Sequence, residues 1–151
     1  MSLNFRGSHR RARQNMPRTP HRIAIVEDEG LIAADLESML KNAGYAVAGI
    51  ADSAPTALAL IEKTSPDVVL MDIRLKGPED GIAVAGLLRE KFDLPVIYLT
   101  ASDDRETLKR AARTEPSGYV KKPITTASLR SAIETALSRR RQGGTAAEPR
   151  R

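Results

Sequence analysis

DVVLMD, residues 67–72, is apolar at four consecutive positions and closes on an acid. A strand with one solvated face would alternate apolar and polar residues. A continuous apolar run marks a strand covered on both faces, as in a parallel sheet. Similar runs lie on either side: Arg22–Glu27 (RIAIVE) and Pro95–Thr100 (PVIYLT). Tyr45–Ala51 and the short Gly118–Lys121 bring the predicted strands to five. Helical patterns fill the intervals. Leu31–Ala43 places Ile32, Leu36, Met39, Leu40 and Ala43 at helical spacing, and Gly44 ends it. Ser53 is placed to cap a helix running to about Lys63, with Pro55 tolerated in its first turn. Ile73–Asp80 is a polar loop with Gly77 and Pro78. Gly81–Lys91 reads as helix, and Asp103–Arg113 as a weaker, mostly polar one whose acids Asp103 and Asp104 suit capping. Thr126–Arg140 carries Leu129, Ile133 and Leu137 at four-residue spacing. Five such units predict an α/β fold: a doubly wound, five-stranded parallel sheet with helices on both faces, over residues 22–140.

Length and composition agree with one domain. The chain has 151 residues, enough for a single core, and its 3% aromatic content calls for a core of Ala, Val, Ile and Leu. There is no cysteine, which excludes disulfides and thiolate metal sites. No apolar run approaches the roughly 20 residues of a membrane span. The basic N-terminus lacks the apolar core of a secretory signal, so a cytoplasmic location is expected. The net charge of +5 is unevenly spread. Residues 1–22 hold six arginines and no acid, and residues 139–151 hold five arginines against Glu148. The stretch between them, residues 23–138, is acidic at −5. Residues 1–21 and 141–151 read as disordered basic tails. Basic tails can attract polyanions, but no aromatic platform or groove-entering motif accompanies them, so nucleic acid is not expected as the main partner.

Chemistry-bearing residues recur at strand C-termini. Glu27 and Asp28 follow the first strand, and Asp72 closes the third. Open α/β sheets bind ligands beyond the carboxyl ends of their strands, where the strand order reverses. If strands one and three are neighbours, three carboxylates converge, and their repulsion calls for a cation. Oxygen ligands without Cys or His favour a hard ion, foremost Mg²⁺. Thr100 ends strand four with a hydroxyl, and Lys122 follows strand five with an ammonium. Carboxylates, Mg²⁺, a hydroxyl and a cation suit phosphoryl transfer to Asp72.

This set resembles the receiver domains of bacterial two-component response regulators. Glu27-Asp28 matches the acid pair, Asp72 in VVLMDIRL the phosphoacceptor, Thr100-Ala101 the switch hydroxyl and its small neighbour, and Lys122-Pro123 the lysine–proline pair. Tyr119 matches the switch aromatic three positions before the lysine. The first acid, Glu27, is more commonly Asp, and the loop Arg74–Gly81 is longer than the commonest form. The resemblance implies strand order 2-1-3-4-5, the flavodoxin-like order. It implies the backbone carbonyl of Arg74 as a metal ligand, with that residue's side chain beside the phosphoryl group. The 22-residue spacing from Thr100 favours Lys122 over Lys121 for phosphoryl binding, and Pro123 is the cis-proline candidate. The implied partners are a sensor histidine kinase or phosphotransfer protein and an unknown downstream protein. A homodimer through the fourth helix, fifth strand and fifth helix is also implied. The chain would be no enzyme beyond catalysing its own phosphorylation and dephosphorylation. With no output domain after Arg140, it is expected either to act through protein partners or to belong to a larger regulator.

Simpler readings exist for each residue. Asp72 could initiate a loop, Glu27 and Asp28 could cap a helix, Thr100 could be a plain strand end, and Tyr119 a half-buried strand aromatic. The same sequence bears on three other functions. A Mg²⁺-dependent aspartyl phosphohydrolase would want a second acid two residues after Asp72, where Arg74 stands. A flavin-mononucleotide binder would not place Glu27-Asp28-Glu29 where phosphate must sit. Nucleic-acid binding through the basic tails is the third.

Overall fold

The computed structural model describes residues 19–101 and 103–147. The N-terminal tail up to residue 18 and residues 148–151 lie outside the described residues. Five strands alternate with five helices: β1 (Arg22–Val26), α1 (Gly30–Asn42), β2 (Ala46–Ala51), α2 (Ala54–Thr64), β3 (Val68–Asp72), α3 (Gly81–Phe92), β4 (Val96–Thr100), α4 (Arg105–Arg113), β5 (Gly118–Lys121) and α5 (Thr126–Ala147). The strands form one parallel sheet in the order β2-β1-β3-β4-β5. The doubly wound α/β fold and its strand order therefore hold.

The continuous apolar runs are explained by what covers them. Every residue of β3 and β4 is buried. Alternate strand residues enter two cores. On one face Val69, Met71 and Tyr98 pack with α2 and α3 residues such as Ile61 and Leu88. On the other, Leu70, Ile97, Leu99 and Val120 pack with Leu36 and Leu40 of α1 and Leu129, Ile133, Ala136 and Leu137 of α5. Helix starts follow capping chemistry. Ser53 accepts from the Thr56 amide in a capping box, with Pro at the helix start. Asp80 accepts from the Ala83 amide at 3.0 Å, and Asp104 from the Glu106 amide at 3.1 Å.

Two sequence expectations change. Asp103 is not a cap: its carboxylate pairs with Lys121 at 2.7 Å. Helix α5 does not end near Arg140 but continues to Ala147, through part of the segment read as a disordered tail. Arg140, Arg141 and Gln142 are good helix formers that propagate an existing helix, and two glycines cost only about 1 kcal/mol each relative to alanine. The β1–β2 ladder also slips: Ile23 faces Val47 while Ala24 faces Gly49, which leaves Ala48 as an extra residue on the edge strand. A Cβ at Gly49 would lie 2.5 Å from Leu60 Cδ1, so this position admits close approach of α2.

Candidate functional site

The order reversal between β1 and β3 places their C-terminal ends side by side, with Val26 opposite Met71. Glu27, Asp28 and Asp72 follow from that register. Each offers a carboxylate oxygen, and the three atoms lie within 4.8 Å of one another. Asp72 is buried, and its Oδ1 accepts the Arg74 amide at 3.2 Å and faces Lys122 Nζ at 3.4 Å. Asp28 Oδ2 accepts the Lys76 amide at 2.7 Å, which ties the loop after β3 to the cluster.

Glu27 is only 2% exposed. Its Oε2 accepts the Glu29 amide at 3.1 Å, and its Oε1 is buried with no hydrogen-bond partner. Burial pushes its pKa up to about 7; the Glu29 amide opposes this, neighbouring Asp72 adds to it, and Lys122 opposes it weakly. A buried acceptor left unmatched costs about 1–3 kcal/mol. Three clustered carboxylates, one with an orphaned oxygen, fit a hard divalent cation bound by oxygen.

Thr100 is buried at the end of β4, and the Lys122 amide donates to its carbonyl at 2.8 Å. That backbone bond sets Lys122 beside Asp72, while Lys121 points to Asp103. The Lys122–Pro123 peptide is cis. The Arg74 side chain and Ala101 are exposed. Tyr119 is 43% exposed, and its ring meets Tyr98 with centroids 5.8 Å apart. The structure thus brings Glu27, Asp28, Asp72 and Lys122 into direct proximity, with Thr100 on the adjoining strand end. Tyr119 stands apart on β5.

Three contributors escape a reading by sequence. A Cβ at Gly81 would sit 1.9 Å from the Asp72 carbonyl oxygen, so only glycine lets α3 start this close. The Gly81 amide donates to Ile73 O at 3.0 Å and closes the loop at its neck. Asp80, besides capping α3, pairs with Arg110 of α4 at 3.0 Å. Tyr98 is buried, and its hydroxyl lies 2.6 Å from Thr114 Oγ1. Its signal was present in PVIYLT, because a tyrosine inside a buried strand needs a partner for its hydroxyl.

The chain belongs to the response regulator receiver domain family, whose match covers residues 23–134. It is a receiver domain of the two-component type with a signalling role. It is 38% identical over 123 residues to the transcriptional regulatory protein PdtaR of Mycobacterium tuberculosis, a match covering 82% of this chain and 60% of that protein. It is 34% identical over 116 residues to the phyllosphere-induced regulator PhyR of Methylorubrum extorquens, covering 76% of this chain and 43% of the relative. The chain therefore spans only about half the length of these relatives, both named as regulators. Among solved structures, it resembles the signal receiver domain of a modulated diguanylate cyclase from Desulfovibrio desulfuricans. That match has a TM-score of 0.77 and 37% identity, covering 82% of this chain and 98% of the other. Among the described residues no helix is long and apolar enough to cross a membrane.

Proposed function

We propose that this chain is a phosphorylation switch in which Asp72 accepts a phosphoryl group from the phosphohistidine of a sensor histidine kinase or phosphotransfer protein. The observation that carries this reading is the meeting of three carboxylates with Lys122, one carboxylate oxygen being buried and unmatched. Glu27, Asp28, Asp72 and the backbone carbonyl of Arg74 would hold Mg²⁺. When bound, the ion supplies positive charge against both the carboxylates and the phosphoryl oxygens. An Asp72 carboxylate oxygen attacks phosphorus in line, and the phosphorus–nitrogen bond of the donor imidazole breaks. Lys122 neutralises a phosphoryl oxygen, Thr100 donates its hydroxyl to another, and Ala101 leaves room beside it. The exposed Arg74 side chain flanks the group and bears on its lifetime, since the domain also catalyses its own dephosphorylation. A cleft of about 220 Å³ between α1 and the Lys122-Pro123-Ile124 turn, lined by Ile32, Leu36, Met39 and Ile124 with Lys122 at its edge, and the 85% exposed Leu31 of α1 offer the donor protein apolar surface on the α1 side of the Lys122 turn.

The added charge draws Thr100 inward, and Tyr119 follows into the vacated space. The α4–β5–α5 face changes and passes the signal to a downstream protein or to a second copy of the chain, a two-state shift in population. The chain regulates rather than turns over a substrate.

The test is labelling by a small acyl phosphate with Mg²⁺, read as one added phosphoryl group by intact-protein mass spectrometry. Asp72→Asn and chelation of Mg²⁺ should each abolish the gain in mass. Undiminished labelling of Asp72→Asn would reject the assignment.

A further inference from the structure

On the reading of Asp72 as a Mg²⁺-dependent phosphoacceptor, we infer that Asp80 and Arg110 are positioning residues for that site. They form a two-pronged clamp through which helix α4 holds the loop that serves the carboxylates. That loop, residues 73–80, meets the carboxylates at two points. The Arg74 amide donates to Asp72 Oδ1 at 3.2 Å, and the Lys76 amide donates to Asp28 Oδ2 at 2.7 Å. The first half of the loop is also anchored by the buried side chains of Ile73 and Leu75. Residues 76–79 are exposed, so the second half depends on what holds its last residue, Asp80.

Asp80 is held from two sides. Its Oδ1 accepts the Ala83 amide at 3.0 Å, which fixes it to the start of α3. Both of its oxygens also accept from Arg110 of α4, Oδ2 from Nη1 at 3.0 Å and Oδ1 from Nη2 at 3.3 Å. Two parallel N–H···O contacts fix orientation as well as distance. The next residue, Gly81, is wedged against the backbone of Asp72 itself. A Cβ there would lie 1.9 Å from Asp72 O, and the Gly81 amide donates to Ile73 O at 3.0 Å. The clamp therefore acts on a segment with little slack between α4 and the phosphoacceptor.

A second arginine clamp between the same helices shows what sets this one apart. At the other end of α3, Arg89 donates to Thr114 O at 3.3 Å, to Glu115 O at 3.0 Å and to Glu115 Oε1 at 2.9 Å, just past the end of α4. It ties α3 to α4 but touches no residue of the loop. Helix α4 buries only Ala111, so its position is open to change. A shift of α4 reaches Asp28 and Asp72 through Arg110 and Asp80. Groups that orient metal ligands from behind commonly tune metal affinity. By linkage, Mg²⁺ at the carboxylates must steady α4 by the same factor that the clamp adds to Mg²⁺ affinity. This route is separate from the one through Thr100 and Tyr119.

The test is a Mg²⁺ titration of the full chain, followed by amide NMR shifts, for Asp80→Asn, Arg110→Gln and, at the other clamp, Arg89→Gln. Asparagine still caps a helix, so Asp80→Asn breaks the clamp and spares the start of α3. Both Asp80→Asn and Arg110→Gln should weaken Mg²⁺ binding about fivefold, the low end for coupled sites because the pair is partly solvated. The double variant should lose little more than either single one. Arg89→Gln should leave Mg²⁺ affinity unchanged. A plain field effect has a different signature: losing an acid weakens cation binding, whereas losing a guanidinium strengthens it. Labelling by a small acyl phosphate at limiting Mg²⁺ should slow in both clamp variants and recover as Mg²⁺ is raised. Mg²⁺ should also slow hydrogen exchange in α4 of the unaltered chain but not in either clamp variant. Three results would overturn the inference alone, provided that the unaltered chain binds Mg²⁺ and labels at Asp72. They are unchanged Mg²⁺ affinity in both clamp variants, opposite shifts in the two, or an equal loss in Arg89→Gln. An unaltered chain that neither binds Mg²⁺ nor labels would overturn the phosphoacceptor reading, and the clamp's role with it.

Discussion

Helices α4 and α5 flank the strands β4 and β5 from opposite faces, and they are held by different forces. Helix α5 buries Leu129, Ile133, Ala136 and Leu137 against both α1 and the sheet. Helix α4 buries only Ala111. Its remaining anchors are polar: the Asp104 cap, the Arg110–Asp80 pair and the Tyr98–Thr114 contact beneath its C-terminus. Apolar burial does not depend on orientation, whereas polar anchors fail singly when geometry or protonation changes. The sheet therefore has one fixed wall, which carries the turn holding Lys122, and one loosely attached plate beside Tyr119. Segments with few buried apolar contacts are those that open at least cost.

That contrast can be tested one contact at a time. Ile133→Ala should remove about 2–5 kcal/mol of stability, the usual range for a fully buried aliphatic side chain. At roughly 2–4 °C per kcal/mol the melting temperature falls by about 10 °C. A loss under about 1 kcal/mol in urea unfolding would mean that α5 is not the fixed wall. Ala111→Gly should cost about 1–2 kcal/mol, from lost helix propensity and one buried methyl. Hydrogen exchange should then quicken through α4 while α5 keeps its protection.

Tyr98→Phe should cost about 0.5–1.5 kcal/mol and loosen the turn at Thr114. Burial pushes the Tyr98 phenol up to about 12, against the opposing Thr114 contact, so this anchor survives ordinary alkaline conditions. The smallest effect is expected at the Asp80–Arg110 pair, which is partly solvated. Burial acts to raise the Asp80 pKa, but Arg110 and the Ala83 amide outweigh it and hold the carboxyl below its ordinary value of 3.8. A depressed carboxyl stabilises the fold above its unfolded pKa, and that contribution disappears as pH falls through the folded value. Exchange protection in α4 should therefore drop below about pH 4 before that in α5. Asp80→Asn should produce the looser α4 already at neutral pH, and equal protection in the two proteins would discount the pair.

The difference between the helices also marks how far the sequence could be read. Strands β1, β3 and β4 were legible because four or five adjacent apolar residues allow little else. The strand ends Glu27, Asp72 and Thr100 were legible as candidate positions because the fold class dictates which edge binds ligands. Strand order was not readable from periodicity; it followed from the family resemblance. The Asp80–Arg110 pair was invisible because it joins residues 30 apart through a loop whose path no local pattern fixes. Gly81 looked like a helix start and proved to be a steric requirement set by the Asp72 carbonyl. The reach of α5 past Arg140 is not legible in composition, because an existing helix propagates through a polar, glycine-containing segment that would not nucleate one.

The slip in the β1–β2 ladder has a further consequence. Strand β2 lies at the edge of the sheet, and its sequence, AVAGIA, has no charge and no proline to discourage another chain from pairing with it. An extra residue at Ala48 bends such a strand and breaks the even row of amides and carbonyls that a docking strand would need. The irregularity therefore acts as a safeguard against fibrous association, built into the backbone where the side chains offer none.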